Sequence, residues 1–136
     1  MAAISITAAN VVSAGGTIET RTSGATITAG MVVYLDANGL AQIATNTASA
    51  SALPRGIALD TASSGQPVTL QRDGDITIGG TAAVGKVYVI GTAGGIIPVD
   101  DIAGTEYIGL VGIGKTAAIL TIVLGTAGVI AAGAVS

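Results

Sequence analysis

Turn signals recur so often along this chain that no long regular element has room to form between them. Met31–Leu35 ends in Asp36-Ala37-Asn38-Gly39 before an apolar run resumes at Leu40, and Asn-Gly is a strong hairpin signal because both residues accept positive φ. Asp73-Gly74, Gly79-Gly80 and Gly94-Gly95 punctuate the rest. The runs between them are short and rich in Val, Ile and Thr: Gly16–Thr22, Met31–Leu35, Pro54–Asp60, Val68–Arg72, Asp75–Ile78, Lys86–Ile90, Ile96–Val99, Tyr107–Ile113 and Ala118–Leu124. Such runs read as strands. No stretch of ten residues or more offers a capped amphipathic helix. The expected fold is all-β, a single compact sandwich or barrel of up to about ten short antiparallel strands.

The order of these runs repeats in looser form. Thr28–Asp75 reads as one antiparallel β unit, and a comparable order recurs over Val84–Ile122; Gly30 and Tyr34 find counterparts in Gly85 and Tyr88, and Val68-Thr69-Leu70 in Leu120-Thr121-Ile122. Two copies of one β motif would explain the likeness, as would shared turn chemistry. The chain therefore divides into an N-terminal arm with edge strands (1–27), a β-rich domain with a possible internal duplication (28–124) and an Ala/Gly-rich tail (125–136). Within the first part, Thr17, Glu19 and Arg21 alternate with Ile18, Thr20 and Thr22, and the charged set is expected to be the exposed face of a strand. Ala44–Ala52 has the composition of a surface loop, and Pro98 belongs at an edge or bulge.

Composition narrows the function classes. Half of the 136 residues are hydrophobic, but Trp and Phe are absent, so a core must be built from Val, Ile, Leu and Ala with three Tyr as the only large rings. Gly, at 21 residues, is about twice its usual share, without the every-third-residue period of collagen. The formal charge is -3, and Arg21, Arg55, Arg72, Lys86 and Lys115 are scattered along the sequence, which gives no footprint for nucleic acid. Only 10% of residues are charged, well under the roughly one quarter typical of soluble domains. A surface so poor in charge suits a subunit covered by its neighbours. The N-terminus lacks the basic start of a secretory signal, so export by that route is not expected. Thr116–Ser136 carries no charge and is formally long enough to cross a bilayer, but Thr121, Gly125, Thr126, Gly128 and Gly133 interrupt it. A strand followed by a small-residue tail is the expectation, with no membrane partner.

The sharpest motif is Gly109–Thr116, GLVGIGKT, a full match to the phosphate-loop pattern G-x-x-x-x-G-K-[ST]. In a nucleotide enzyme the Gly amides would surround phosphates, Lys115 would neutralise them and Thr116 would help hold Mg²⁺. Such a loop must open a long helix and be followed by sheet carrying an acidic metal partner. Here only twenty residues follow Thr116, none acidic, and AILTIVLG favours a strand. The match is read as a Gly-rich turn. Asp73-Gly74-Asp75 and Asp100-Asp101 lack the ligand rhythm of a calcium loop and are read as turn chemistry. Tyr34, Tyr88 and Tyr107, without Trp or basic clusters nearby in sequence, are read as core or subunit-contact residues. With neither His nor Cys in the chain, the common nucleophile and base partnership is ruled out; a Ser-Lys pairing through Lys86 or Lys115 has nothing in its favour. No catalytic residue, metal ligand or cofactor is expected.

The stretches AGMVVYLDANG (Ala29–Gly39), RGIALDTASSGQPVTLQRDGDITI (Arg55–Ile78) and AAVGKVYVIGTAGGI (Ala82–Ile96) resemble the small Gly/Ala-rich decoration, or cement, proteins of tailed-bacteriophage heads. The likeness covers more than half the chain and is compositional rather than catalytic. It implies a non-enzymatic homo-oligomer, often a trimer, assembled in the host cytoplasm and seated on the outer surface of the capsid, where it ties major capsid subunits together. No single signature assigns a lattice contact, so no capsid-contacting residue is carried over. The competing classes are an adhesive or fibre-associated binding module and a main shell subunit, the latter disfavoured by size.

Overall fold

In a computed structural model, which describes residues 4–48, 50–102 and 107–130, the β-branched runs form eleven strands. In chain order these are β1 (Val12–Ser13), β2 (Ile18–Thr22), β3 (Val32–Leu35), β4 (Ala41–Ile43), β5 (Gly56–Ala58), β6 (Pro67–Gln71), β7 (Gly74–Thr77), β8 (Val87–Ile90), β9 (Ile96–Pro98), β10 (Tyr107–Gly114) and β11 (Ile119–Ile130). The only helical pieces among the described residues are three-residue turns at Ala8–Asn10, Ala50–Ala52 and Val99–Asp101. The strands make two antiparallel sheets packed face to face, a sandwich and not a closed barrel. One sheet has the order β1-β7-β11-β10-β8-β9 and the other β2-β6-β5-β3-β4.

The two orders are the same order. With β1 set aside, each sheet places its first strand beside its fifth, then its fourth, second and third, with β7 to β11 repeating β2 to β6. Tyr34 and Tyr88 lie in β3 and β8, and Val68–Leu70 and Leu120–Ile122 in β6 and β11, so the pairs matched in sequence occupy corresponding strands. The repeated order starts one strand earlier in each half than the sequence match does, at β2 and β7. β1 edges one sheet and β2 the other, and Ile4, Ile6 and Ala8 of the N-terminal arm pack against the main core. β11 runs on through Ile130, into the stretch expected to be tail; the remainder of that tail, 131–136, lies outside the described residues.

Alternation along the strands splits the apolar residues into two cores. Between the sheets lie Val32 and Ile57 from one side and Ile76, Tyr88, Ile90, Ile96, Leu120 and Ile122 from the other. Val33 and Ala58, the sequence neighbours of Val32 and Ile57, join Val68 and Leu70 of β6 in a second cluster on the far face of the five-stranded sheet. Ile27 and Ala62 close over that face, exchanging two backbone hydrogen bonds of 2.8 and 2.9 Å.

The chain crosses from one sheet to the other between Gln71 and Gly74. Gln71 is fully buried at the crossing, and its Nε2 lies 2.5, 2.9 and 2.7 Å from the carbonyl oxygens of Gly15, Asp73 and Asp75. Two amide hydrogens thus serve three acceptors. Gly74 completes the crossing at φ 78°, where a Cβ would stand 2.8 Å from the Cα of Gly16, so a side chain is excluded by both torsion and space.

Candidate functional site

Three of the five basic residues, Arg21, Arg55 and Arg72, are dispersed in sequence but meet in space around Glu19, which corrects for the arginines the expectation of a scattered set; Lys86 and Lys115 stay apart from them. Ile57 stands opposite Gln71 and Glu19 opposite Leu70, and this register brings Arg55, just before β5, and Arg72, just after β6, to the same end of the sheet as Glu19. Arg55 holds the carboxylate with two nitrogens, Nε to Oε1 at 2.5 Å and Nη2 to Oε2 at 3.1 Å. Arg21 Nε donates to Oε2 at 3.3 Å. Arg72 Nε stays 3.8 Å from Oε1, within ion-pair range but beyond hydrogen-bonding distance. The Arg55 bond holds the Glu19 carboxyl below its ordinary range; burial opposes this, and the charges of Arg55, Arg21 and Arg72 add to it.

This cluster also inverts the expected exposure of β2. Ile18, Thr20 and Thr22 face solvent, while Glu19 and Arg21 are half-buried. A forked guanidinium pair satisfies the carboxylate well enough to seat it over the sheet.

Beside the cluster opens a cavity of about 490 Å³, to which the ends of the five-stranded sheet contribute Thr17, Pro54, Arg55, Arg72 and Asp73 and β11 contributes Ile122, Val123 and Leu124. Backbone and side-chain bonds fix the polar residues: Arg72 N–H donates to the Thr17 carbonyl at 2.8 Å, and Thr17 N–H donates to Asp73 Oδ1 at 2.7 Å. The β11 contribution is a β-bulge. Leu110 pairs with Gly125 and Gly112 with Ile122, so Val123 and Leu124 both stand opposite Val111. β7 accompanies β11 only as far as Ile122, opposite Gly74.

The outer face of the six-stranded sheet adjoins this groove. Ile113 shares a row with Val87 and Thr121 on the face turned away from Leu120 and Ile122. Ile113 is 41% exposed, Val123 44% and Val84 73%. No family model matches the chain, and no curated protein does.

The phosphate-loop match resolves into sheet. Gly109 to Gly114 lie within β10, paired antiparallel to both β8 and β11. Lys115 Nζ is 2.6 Å from Asp75 Oδ2, and Thr116 Oγ1 accepts the amides of Ala118 and Ile119 at 3.2 and 3.0 Å, a turn that leads into a strand instead of a helix. Asp75 also accepts the Thr121 hydroxyl at 2.8 Å; the Lys115 bond, then the Thr121 bond, lowers its pKa. Lys86 is 2.9 Å from Asp100. Both lysines are therefore engaged by carboxylates. Among the described residues no three carboxylates converge as a metal site would require, and no helix is long and apolar enough to cross a membrane. Tyr88 is buried with its hydroxyl accepting the Ala83 amide at 2.8 Å, Tyr34 is half-buried against the core, and Tyr107 is half-buried at the start of β10.

The arginine cluster is the feature that sequence reasoning passed over. Its members are 34 and 17 positions apart along the chain. Only the strand register shows that they meet. The one local signal was Glu19 and Arg21 sharing a face.

Proposed function

We propose that this chain is a non-enzymatic capsid decoration protein of a tailed bacteriophage, acting as a homotrimer on the outer surface of the assembled head and reinforcing contacts between major capsid subunits. The observation that carries this reading is the unequal finish of two sheets with one strand order. One has its outer face covered by Ile27 and Ala62, while the other leaves Val12, Ile113 and Val123, all in its strands, exposed to solvent. Exposed aliphatic residues on a sheet face, in a chain with 10% charged residues, suit a surface covered in an assembly. The resemblance of Ala29–Gly39, Arg55–Ile78 and Ala82–Ile96 to head decoration proteins supports the same reading.

The physical mechanism is added buried area at each lattice contact. Apolar burial stabilises by roughly 25 cal/mol per Å², and although ordering and desolvation consume much of that, a trimer engaging several subunits at once raises the effective concentration of each remaining contact. The protein is therefore expected to bind assembled heads far better than isolated capsid subunits. Heads lacking the chain, mixed with recombinant protein and viewed by cryo-electron microscopy, should acquire regular external density and resist heat-induced release of DNA. Without regular density or added head stability at saturating protein, the adhesive-module reading would replace this one.

A further inference from the structure

We infer that the groove between Arg72 and β11 is a binding site for a carboxylate carried on an aliphatic stem. The charges set the ligand class. Three guanidinium groups, those of Arg21, Arg55 and Arg72, meet one carboxylate in Glu19, and Asp73 lines the same groove. Three positive against two negative charges leave a surplus of one, which a single carboxylate neutralises and a doubly charged phosphate would exceed.

The geometry sets where that carboxylate goes. Arg55 spends its fork on Glu19, but Arg72 Nε stands 3.8 Å from the same carboxylate and the Arg72 side chain is 40% exposed. Its planar set of donors is positioned at the groove and suited to bidentate recognition. The residues that β11 contributes to the groove, Ile122, Val123 and Leu124, all carry aliphatic side chains, and β7 ends its pairing at Ile122. At about 490 Å³ the groove falls within the roughly 300–1,000 Å³ typical of small-ligand sites. An acidic group with an adjoining branched aliphatic stem meets both contributions at once. Such a group occurs on a free aliphatic acid and on a polypeptide with an acidic residue beside Leu or Val. The site stands whether or not the outer face of the six-stranded sheet meets a capsid.

The test is a set of titrations of the full, isotope-labelled chain, followed by nuclear magnetic resonance at the Arg72 Nε–H and the amides of Thr17 and Val123. The probes are 4-methylpentanoate, 4-methylpentanamide, acetate, inorganic phosphate and a capped peptide with one Glu between leucines. Saturable shifts are expected with 4-methylpentanoate, with the neutral amide weaker by about tenfold or more, the scale of a hydrogen bond to a charged partner. Acetate should bind more weakly than 4-methylpentanoate for want of the stem. Arg72→Gln should weaken binding by about tenfold while the amide spectrum of the free protein stays that of the native fold, and Arg72→Lys should fall between. Tighter binding of the peptide than of the free acid assigns the carboxylate to a polypeptide partner, and the reverse order assigns it to a small acid; either supports the site. Equal binding of acid and amide, tighter binding of phosphate, absence of saturable shifts, or no effect of Arg72→Gln would overturn it.

Discussion

The two sheets of this protein share one strand order and differ in the loops that join it. In the five-stranded sheet the link from β5 to β6 spans 59–66, and its Ala62 pairs with Ile27 of the β2–β3 link to roof the outer face. In the six-stranded sheet the corresponding link from β10 to β11 spans only 115–118, and the β7–β8 link turns Ile78 and Ala82 inward to the main core. Among the described residues there is no equivalent roof. The comparison teaches that strand order fixes which residues pair, while loop length and loop side decide which faces are finished by the chain itself. A repeated motif can therefore yield one self-sufficient face and one that is open.

The most severe way to break this comparison is to truncate one residue on each face. Leu70 is fully buried beneath the roof, whereas Val123 is 44% exposed on the open side. Leu70→Ala is expected to destabilise the monomer by about 3 kcal/mol, within the range for buried leucines, and Val123→Ala by no more than about 0.5 kcal/mol. Urea unfolding midpoints measure both. Comparable losses at the two sites would show that the open face is already covered in the free protein.

The crossing between the sheets comes next in size. Gln71→Leu keeps the bulk but leaves the carbonyl oxygens of Gly15, Asp73 and Asp75 without their shared donor. The Asp75 carbonyl keeps the Ala14 amide at 3.0 Å and the Gly15 carbonyl keeps the Ser13 hydroxyl at 3.3 Å, so the loss is that of the hydrogen bonds themselves, about 1–2 kcal/mol in the same urea measurement. Hydrogen exchange sharpens the point, because faster exchange should appear around Gly15 and Asp75, where the two sheets are tied, before it appears in the hairpin of β3 and β4.

Much of the fold was legible because the signals for it are local. Asn38-Gly39 marks the β3–β4 hairpin, Asp73-Gly74 the crossing, and the small apolar runs the strands. The match of Val68–Leu70 with Leu120–Ile122 already placed β6 and β11 in equivalent positions. The strand face at Glu19 was misread for a physical reason: period-two alternation separates two faces without saying which is buried, and charge is a good guide only when no partner waits across the sheet. Arg55 and Arg72 are that partner, and their meeting depends on the pairing of Ile57 with Gln71, a non-local fact. The phosphate-loop match failed in the opposite way. Its residues are present in full, but β10 holds them in a ladder where Lys115 reaches Asp75.

Acid titration compares the two sheets through their carboxylates. Glu19 on one and Asp75 on the other both have folded pKa values below their ordinary 4.5 and 3.8, the first mainly through Arg55 and the second mainly through Lys115. A group depressed in the folded state binds fewer protons there than in the unfolded chain, so its contribution is full above the ordinary value and is lost as pH falls through the folded one. The thermal midpoint should decline below about pH 4.5, with Glu19→Gln removing the earlier part of the decline and Asp75→Asn the later part. An identical pH profile in either variant would show that its pair contributes nothing to stability.

The smallest expected effect distinguishes the two equivalent hairpins. Between β3 and β4 the left-handed position is held by Gly39 at φ 77°, with Asp36 accepting the amides of Asn38 and Leu40 at 2.9 and 3.0 Å. Between β8 and β9 two successive residues are left-handed, Ala93 at φ 52° and Gly94 at φ 77°. Two adjacent positive φ values are the requirement of a primed hairpin turn, which Asn-Gly meets far better than Ala-Gly. An L-residue with a Cβ loses roughly 1–2 kcal/mol in that region, and Asn recovers part of it through its short polar side chain. Ala93→Asn is therefore expected to stabilise the protein by about 0.5 kcal/mol, whereas Gly39→Ala, which introduces at one turn the strain that the other already carries, should destabilise it by about 1 kcal/mol. Thermal midpoints of the two single variants and of the double variant provide the check. Gly94 exchanges hydrogen bonds with Val32 and Ala44, at the far end of the hairpin that Gly39 closes, so the double variant measures how far the two turns are coupled through β3 and β4. A stabilising Gly39→Ala, or an Ala93→Asn that destabilises, would mean that the turn conformations are set by the flanking strands and not by the torsional preferences of the residues within them.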